Sequence, residues 1–264
     1  MRLQALIFDV DGTLADTERD GHRPAFNAAF AGAGLPWRWD ETLYGDLLGV
    51  TGGKERIRHF AQRHAAEFLA RPDADAAVRE LHAAKTRHYL AHLAAGAIPL
   101  RPGVARLLQE AWECGLRLAI ATTTTPENVT QLLLSTLGAE GARRFEVIGA
   151  GDVVERKKPA PDIYRWVLQK LDLPAAACLA VEDSAHGLAA SLGAGIATVV
   201  TVSEYTRDQD FRGATAVLSD LGEPAAPCVA LQGERPSGAC VDVAQLRAWH
   251  RPQRPSSYAS DKKL

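Results

Sequence analysis

QALIFDVDGTLADTE, residues 4–18, begins as a short apolar run and then delivers two aspartates. A run this short, stopped by Gly12, is typical of a buried strand in a parallel sheet. Residues two apart in an extended chain point the same way, so Asp9 and Asp11 should leave the strand close together. At about 6 Å, two carboxylates repel each other by roughly 3 kcal/mol at an effective dielectric constant of about 20. We therefore expect positive charge between them, unless one aspartate caps the next turn and the other is solvated.

Length and composition restrict the class of protein. The chain has 264 residues, of which 47% are hydrophobic, so it can bury a large core, and we expect one core domain with an insertion. The formal net charge of -2 gives no general attraction to nucleic acid or to an anionic membrane, so anion binding must be local. The four cysteines lack C-x-x-C spacing, and neither a signal peptide nor an apolar run of about 20 residues is evident. We expect a reduced, soluble, cytoplasmic monomer.

Apolar runs typical of strands alternate with amphipathic helical patterns. The predicted strands are 3–8, 116–121, 145–148, 178–181 and 197–202. The predicted helices are 103–114, 127–137, 161–171 and 185–193. Gly115, Gly138 and Gly193 stand where helix C-termini are expected. This alternation predicts an α/β fold with a doubly wound, Rossmann-like parallel sheet.

The segment 17–98 carries no convincing strand, and we predict that it is an all-helical cap inserted into the core. Its apolar residues recur at helical spacing on two faces. These are Ile57, Phe60, Ala61, His64 and Phe68 on one face, and Val78, Leu81, Lys85 and Tyr89 on the other. An insertion directly after the first strand lies over the carboxyl ends of the strands, where open α/β sheets bind ligands. The predicted division is a core at 1–16 and 99–221, a cap at 17–98 and a C-terminal extension at 222–264.

Three further predicted strands also end in polar residues. Thr122–Thr125 precede a helix, whose free N–H groups suit a phosphate. In ERKKPAPDIY, Lys158 precedes Pro159, and Asp162 could cap the next helix. Glu182–Asp183 are a second pair of carboxylates at a strand end. Each feature alone could be an ordinary helix cap or a solvated pair of charges.

Taken together, these strand ends predict a magnesium site with a phosphorylated substrate. The strand ends of a doubly wound sheet share one edge, so acidic groups, a row of hydroxyls and a lysine would surround one place. Mg²⁺ suits this set because it binds carboxylates, keeps several waters and bridges phosphate oxygens. Zinc does not suit it, since these strand ends carry neither Cys nor His as a set.

The polar strand ends also resemble a known family. Asp9-Val10-Asp11-Gly12-Thr13, Thr122, Lys158-Pro159 and Glu182-Asp183 are similar, in this order, to the four motifs of the haloacid dehalogenase superfamily, with a helical cap after the first motif. The resemblance covers residues 3 to about 220. It implies that Asp9 is a nucleophile that forms an aspartyl phosphate, and that Asp11 is the general acid and base.

The same resemblance implies the remaining roles in the core. Thr122 would hold phosphoryl oxygens, and Lys158 would offset developing charge and pair with Asp9. Asp11 would reach Mg²⁺ through its backbone carbonyl, and Glu182 would lie beside Asp183 or behind it. The implied metal ligands are Asp9, Asp11, Glu182 and Asp183.

Substrate specificity is expected from the cap. VTGGKERI places two glycines before a helix, which is either an anion-binding nest with Lys54 and Arg56 nearby or an ordinary glycine loop. Lys85 lies on the packed helix face, so its ammonium either snorkels out or points into the cleft. A second cationic cluster opposite the catalytic phosphate would suit a substrate that carries phosphate at both ends.

At this level the chain resembles the CbbY-type branch of the superfamily. The matching phrases are DVDGTLADTE, TGGKERI, AKTRHY, LRPG, IATTTTPENV and KKPAPDIY. Members of that branch hydrolyse xylulose 1,5-bisphosphate, an inhibitor of the Calvin cycle enzyme Rubisco, and release xylulose 5-phosphate. The implied substrate contacts are Glu18, His22, Tyr44, Gly53, Lys54, Lys85, Thr122, Thr123, Thr124 and Asn128. The assignment of His22 assumes a one-residue bulge at Gly21.

Three alternatives stay open at this point. A β-phosphoglucomutase shares all four motifs and this cap type, although the Gly-Gly-Lys-Glu-Arg loop favours a phosphatase. A phosphatase of phosphoglycolate or another small metabolite is the second, although the cationic cap favours a larger substrate. The third is a binding protein on an inactive scaffold, which would lack Asp9, Asp11, Lys158 or Asp183, and all four are present.

Overall fold

The computed structural model describes residues 2–50 and 52–250. Seven strands in this part of the chain form one sheet in the order β3-β2-β1-β4-β5-β6-β7. The strands are β1 (Ala5–Phe8), β2 (Arg117–Ala121), β3 (Phe145–Gly149), β4 (Cys178–Glu182), β5 (Ala197–Thr201), β6 (Ala216–Leu218) and β7 (Ala230–Gly233). All neighbours are parallel except β6 and β7. The predicted doubly wound α/β fold is confirmed.

Helices pack on the sheet, and other helices make up the segment inserted after β1. They are α1 (Arg23–Gly32), α2 (Glu41–Leu47), α3 (Gly53–His64), α4 (Ala66–Leu69), α5 (Ala74–Ala94), α6 (Val104–Glu113), α7 (Pro126–Ala142), α8 (Asp162–Leu171), α9 (Ala185–Gly193) and α10 (Val243–Trp249). A π-helix spans Thr17–His22, and a 3-10 helix spans Ala175–Ala177. Within the described ranges, no helix combines the length and the apolar character that a bilayer crossing demands.

β1 is the central strand, and all four of its residues are buried. It pairs with β2 on one side and β4 on the other, so that Phe8 lies beside Ile120 and Val181. The chain proceeds from β1 through β2 to β3 in one direction and resumes on the other side with β4. The direction of winding therefore reverses between β1 and β4, and open α/β sheets bind ligands at such a switch point.

The inserted helices have a hydrophobic cluster of their own, which includes Phe26, Trp39, Tyr44, Phe60 and Phe68. The described residues between 17 and 98 contain no strand. These observations support the predicted cap, whose boundaries stay a prediction.

The two predicted helix faces of this segment have different outcomes. The face from Ile57 to Phe68 belongs to two helices, because Ala65 adopts a non-helical backbone between α3 and α4. The second face is confirmed, since Val78, Leu81, Lys85 and Tyr89 are all buried along α5.

Residues 222–250 pack against the core, which the sequence pattern did not indicate. β7 adds an antiparallel strand to β6. Val241, Val243, Leu246 and Trp249 join the hydrophobic cluster on one face of the sheet. The last residues of the predicted C-terminal extension, 251–264, lie outside the described residues.

Two local predictions have different outcomes. The predicted stop at Gly138 is confirmed: its φ of 69° and ψ of 179° are non-helical, so the first helical segment of α7 ends there and a second short segment continues across the kink to Ala142. Glycine adopts this backbone conformation without a steric cost. The prediction that Asp162 is a cap is wrong, because Pro161 holds the cap position and Asp162 is the first residue of α8.

Candidate active site

Lys158 joins the first and last predicted motifs. Its Nζ donates to Asp9 Oδ1 and to Glu182 Oε1, each at 2.6 Å. Asp9 directly follows β1 and Glu182 ends β4, so the switch point of the sheet brings the two carboxylates together. Burial lowers the pKa of Lys158, but the charges of Asp9 and Glu182 outweigh it and hold the pKa above its ordinary value. The positive charge that the acidic strand ends require is therefore present, and it lies between Asp9 and Glu182.

Glu182 is fully buried and tightly held. Tyr164 donates its hydroxyl at 2.5 Å to the same Oε1 that accepts from Lys158. A Cβ atom on Gly187 would lie 1.8 Å from Glu182 Oε2, so only glycine allows α9 to approach so closely. Burial raises the pKa of Glu182, and the Lys158 charge counters this effect. Tyr164 was not predicted as part of the site, although it lies within the quoted KKPAPDIY stretch.

The carboxylates of Asp9, Glu182 and Asp183 form a buried cluster whose oxygen atoms lie within 4.8 Å of one another. Glu182 has Lys158 as a partner, whereas Asp183 accepts from the Ser203 hydroxyl at 3.0 Å. Burial, followed by the charges of Asp9 and Glu182, raises the pKa of Asp183 well above its ordinary value. A set of hard oxygen ligands with excess negative charge fits Mg²⁺.

Gly12 lets the first motif pass directly over Asp183. Its φ of +84° is a conformation that favours glycine. A Cβ atom at this position would lie 2.1 Å from Asp183 Oδ2. The chain after Asp11 can therefore lie against the acidic cluster only because residue 12 has no side chain.

Asp11 has a different environment from Asp9. Thr17, in the π-helix at the start of the inserted segment, donates its hydroxyl to Asp11 Oδ1 at 2.5 Å. Burial, and then the charges of Asp9 and Glu18, raise the pKa of Asp11 to about 7. A carboxyl group with this pKa can both release and accept a proton near neutral pH, as general acid–base chemistry requires. Asp9 is buried and ion-paired, so the alternative of a solvated aspartate is wrong for it.

The predicted row of hydroxyls lies at the same edge of the sheet. Thr122 is buried directly after β2, and its Oγ1 accepts from the Thr124 N–H at 3.3 Å. Thr125 caps α7 by accepting from the Asn128 N–H, and Asn128 Nδ2 donates to Thr124 Oγ1 at 3.3 Å. Thr123 is exposed. The first turn of α7 therefore offers N–H groups beside the end of β1.

In the inserted segment, the half-buried His22 pairs with the buried Lys85. Lys85 Nζ lies 2.7 Å from His22 Nδ1. An ammonium group only donates, so Nδ1 is the acceptor and the neutral ring carries its proton on Nε2. The His22 ring stacks on Tyr89 with 3.9 Å between centroids. Burial lowers the pKa of Lys85 to about 8 and the pKa of His22 well below its ordinary value. Lys85 is 9% exposed, so it does not snorkel into solvent.

The predicted bulge at Gly21 is present as the π-helix Thr17–His22. A π-helix contains one extra residue per turn compared with an α-helix. A Cβ atom on Gly21 would lie 2.5 Å from Ile98 Cδ1 and 2.7 Å from Tyr89 Cε2. The absence of a side chain at Gly21 therefore allows the bulge to pack against Tyr89, where His22 also stacks.

A second polar cluster of the inserted segment contains Glu18, Tyr44 and Arg56. Tyr44 donates its hydroxyl to Glu18 Oε2 at 2.5 Å and accepts from Arg56 Nη1 at 2.9 Å. Arg56 is buried, whereas Lys54 is exposed and has no place in this cluster. Gly53 packs against His82, whose ring would lie 2.6 Å from a Cβ atom at that position. The structure thus joins Glu18 to Tyr44 but does not bring Lys54 to them.

Comparison with known proteins identifies the family. The description "haloacid dehalogenase-like hydrolase" matches residues 3–195. The chain belongs to the haloacid dehalogenase-like hydrolase family. It is 51% identical over 251 residues to "Protein CbbY, plasmid" of Cupriavidus necator, covering 94% of this chain and 97% of that protein. The prediction of a phosphatase is confirmed by this membership.

Two solved structures of CbbY from Rhodobacter sphaeroides are also similar. One is a complex with phosphate, with a TM-score of 0.71 and 45% identity over 83% of this chain and 94% of that chain. The other is an aspartate-to-asparagine mutant in complex with xylulose-(1,5)bisphosphate, with a TM-score of 0.69 and the same identity and coverage.

Proposed function

We propose that this protein is a magnesium-dependent sugar bisphosphate phosphatase that hydrolyses xylulose 1,5-bisphosphate to xylulose 5-phosphate and inorganic phosphate. The observation that carries the proposal is the presence of two buried lysines on separate parts of the chain. Lys158 lies in the acidic cluster of the sheet, and Lys85 lies in the inserted helices. A substrate with a phosphate at each end needs positive charge at both ends. The similar CbbY structure that holds xylulose-(1,5)bisphosphate supports this choice of sugar.

In the first step, a carboxylate oxygen of Asp9 attacks the phosphorus of the C1 phosphate, and the bond between phosphorus and the C1 oxygen breaks. Asp11 gives its proton to the departing sugar oxygen, which becomes a hydroxyl group. Its pKa of about 7 supports this role, because a proton is available near neutral pH. The products of the step are xylulose 5-phosphate and an aspartyl phosphate on Asp9.

In the second step, water attacks the phosphorus of the aspartyl phosphate. Asp11, now a carboxylate, accepts a proton from this water as the bond between phosphorus and the Asp9 oxygen breaks. Inorganic phosphate leaves, and both aspartates return to their starting protonation states. The Thr17 hydrogen bond to Asp11 keeps the carboxyl group oriented during both transfers.

Lys158 is proposed to orient Asp9 and to offset negative charge on the phosphoryl group, as its 2.6 Å contact with Asp9 supports. Thr122 and the N–H groups before α7 would hold phosphoryl oxygens. Asp9, Asp183 and the backbone carbonyl of Asp11 would hold Mg²⁺, with Glu182 beside them. When bound, this ion supplies charge neutralisation between an anionic nucleophile and an anionic phosphoryl group.

The cap residues are proposed to recognise the rest of the substrate. Lys85 would pair with the distal phosphate, and the Nε2–H of His22 would donate to a sugar hydroxyl. Glu18 would accept from another sugar hydroxyl, and the Tyr44 oxygen, whose proton is donated to Glu18, would accept from one. The predicted contacts of Gly53 and Lys54 remain part of this proposal. A monomer in the cytoplasm is the expected state.

The test is a panel of sugar mono- and bisphosphates assayed for phosphate release with and without Mg²⁺. We expect xylulose 1,5-bisphosphate to give the highest kcat/KM, and excess chelator to remove the activity. Phosphoglycolate as the preferred substrate would contradict the proposal. Faster turnover of glucose 1,6-bisphosphate, with transfer to sugar rather than water, would favour a mutase instead.

A further inference from the structure

We propose that Arg101 is a positioning residue that sets the geometry of the magnesium site from outside it. This inference rests on the proposed magnesium-dependent function. Arg101 follows the inserted helices, is 8% exposed, and donates through its guanidinium to carbonyls of neighbouring strand ends and loops.

The guanidinium of Arg101 joins the first motif to the ends of two strands. Nη1 donates to the carbonyl of Gly12 and, at 2.9 Å, to that of Thr201 at the end of β5. Nη2 donates to the carbonyl of Val202 at 2.6 Å and to that of Ser219, after β6, at 2.9 Å. The planar guanidinium can satisfy these acceptors simultaneously, whereas a lysine ammonium offers one point of charge.

Two of these contacts lead directly to the proposed ligands of the metal. Gly12 follows Asp11, and its backbone lies against Asp183. Val202 precedes Ser203, whose hydroxyl donates to Asp183 Oδ2 at 3.0 Å. Arg101 therefore fixes both the loop on one side of Asp183 and the hydroxyl that holds this carboxylate.

Arg101 also links this site to the two connections of the inserted segment. Its Nε lies 3.3 Å from Asp16 Oδ1, and its backbone N–H donates to Leu14 O at 2.9 Å. Ala15 and Leu100 form an isolated antiparallel bridge between the two connections. The residue that holds the loop of Gly12 is thus placed where the inserted helices leave and rejoin the core.

Arg106 provides a matched control. It is half-buried rather than buried, and its Nη2 likewise donates to backbone carbonyls, those of Leu221, Gly222 and Val241. It forms ion pairs with Glu110 and Glu223. None of these partners belongs to the acidic cluster of Asp9, Glu182 and Asp183. Arg106 therefore also holds backbone segments together, but within the described residues its partners do not contact the proposed metal ligands.

The experiment measures Mg²⁺ binding to the substrate-free full chain by calorimetry in Arg101→Lys and Arg106→Lys. Groups that support metal ligands from outside change metal affinity by about 10- to 100-fold when they are altered. We expect Arg101→Lys to weaken Mg²⁺ binding within this range and to lower kcat with little change in KM. Arg106→Lys should lower Tm and leave Mg²⁺ affinity unchanged.

Wild-type Mg²⁺ affinity in Arg101→Lys, or an equal loss in Arg106→Lys, overturns the inference. Ser203→Ala removes the hydroxyl that donates to Asp183, which is the last contact between Arg101 and this carboxylate. This variant tests the inference if Arg101→Lys does not fold. It should also weaken Mg²⁺ binding, and wild-type affinity in this variant overturns the inference as well. Failure of the proposed function is a different result, because the wild-type protein would then show no Mg²⁺-dependent phosphatase activity in the same preparation.

Discussion

Lys85 and His22 are 63 positions apart in the sequence, yet Lys85 Nζ lies 2.7 Å from His22 Nδ1. Both side chains lie against Tyr89, which stacks on the imidazole and has the ammonium 5.1 Å from its ring centroid. A cation kept this close to aromatic rings and out of water is weakly hydrated, so it can gain much from a phosphate. The pair is therefore the feature of the inserted helices most suited to recognise a second phosphate.

The first prediction concerns Lys85→Ala. Loss of a hydrogen bond to a charged group costs about 1.5–3 kcal/mol, so we expect kcat/KM for a sugar bisphosphate to fall by about 10- to 100-fold. A small monophosphate should be hydrolysed as before, since it does not reach this lysine. Steady-state kinetics on both substrates test this, with Lys170→Ala as a control on an exposed lysine. Equal losses on both substrates would exclude the distal-phosphate role.

The second prediction is a pH dependence. Burial lowers the pKa of Lys85 to about 8; the charges of Glu18 and Asp11 oppose this, and Arg56 adds to it. Lys85 therefore loses its charge as the pH rises through about 8. We expect KM for a bisphosphate to increase above this pH in the wild-type protein. Lys85→Arg, which stays protonated, should show no such increase. An identical rise in both proteins would assign the pH dependence to another group.

The same shift has a consequence for stability. Between pH 8 and the ordinary pKa of 10.5, the unfolded chain binds a proton at Lys85 that the folded protein does not bind. Because the unfolded chain binds more protons, the contribution of Lys85 to the free energy of unfolding rises with pH across this window. Denaturant titrations at several pH values should show a shallower rise in Lys85→Met than in the wild type.

The third prediction concerns the nucleophile. Asp9→Asn keeps an oxygen that accepts from Lys158 but replaces the attacking carboxylate by an amide. We expect a folded protein with a Tm within a few degrees of the wild type and no measurable turnover of any phosphate ester. Phosphate release and thermal unfolding measured on the same sample test both parts. Turnover comparable to the wild type would remove Asp9 from the nucleophile role.

The fourth prediction separates Tyr164 from a purely structural residue. Tyr164→Phe keeps the buried ring and removes the donor to Glu182. Because Glu182 also accepts from Lys158, we expect the lysine to be held less firmly and kcat to fall by about tenfold, the equivalent of one hydrogen bond of about 1.4 kcal/mol. KM should change little. A fall in Tm with unchanged kcat would show that the phenol acts on stability alone.

The sequence predicted the strand ends well because the buried strands of a parallel sheet are continuous apolar runs, which are easy to recognise. Short apolar runs placed Asp9, Thr122 and Glu182 at the same edge, and the structure has them there. The sequence could not predict that Glu182 would be held by Tyr164, since that contact depends on how α8 packs against the sheet. The short strands β6 and β7 had too few residues to produce a periodic pattern.

Contacts to backbone carbonyls were the hardest to foresee. Arg101 and Thr201 are 100 residues apart. Every residue type has a backbone carbonyl, so the identity of residue 201 does not reveal that it accepts this hydrogen bond. LRPG is one of the stretches that resemble the CbbY-type branch, yet nothing in it indicates that Arg101 donates to four backbone carbonyls. In contrast, the one-residue bulge at Gly21 was predictable from the family resemblance, because the spacing between the first aspartate and His22 is one residue longer than in relatives that lack the Gly21 position.

The most direct test of the account is the release of inorganic phosphate from xylulose 1,5-bisphosphate in the presence of Mg²⁺, compared with glucose 1,6-bisphosphate under the same conditions. We predict one equivalent of phosphate and one of xylulose 5-phosphate per substrate molecule, with a kcat/KM at least tenfold above that for the glucose compound. Preference for glucose 1,6-bisphosphate, or no phosphate release from the pentulose, would contradict the account.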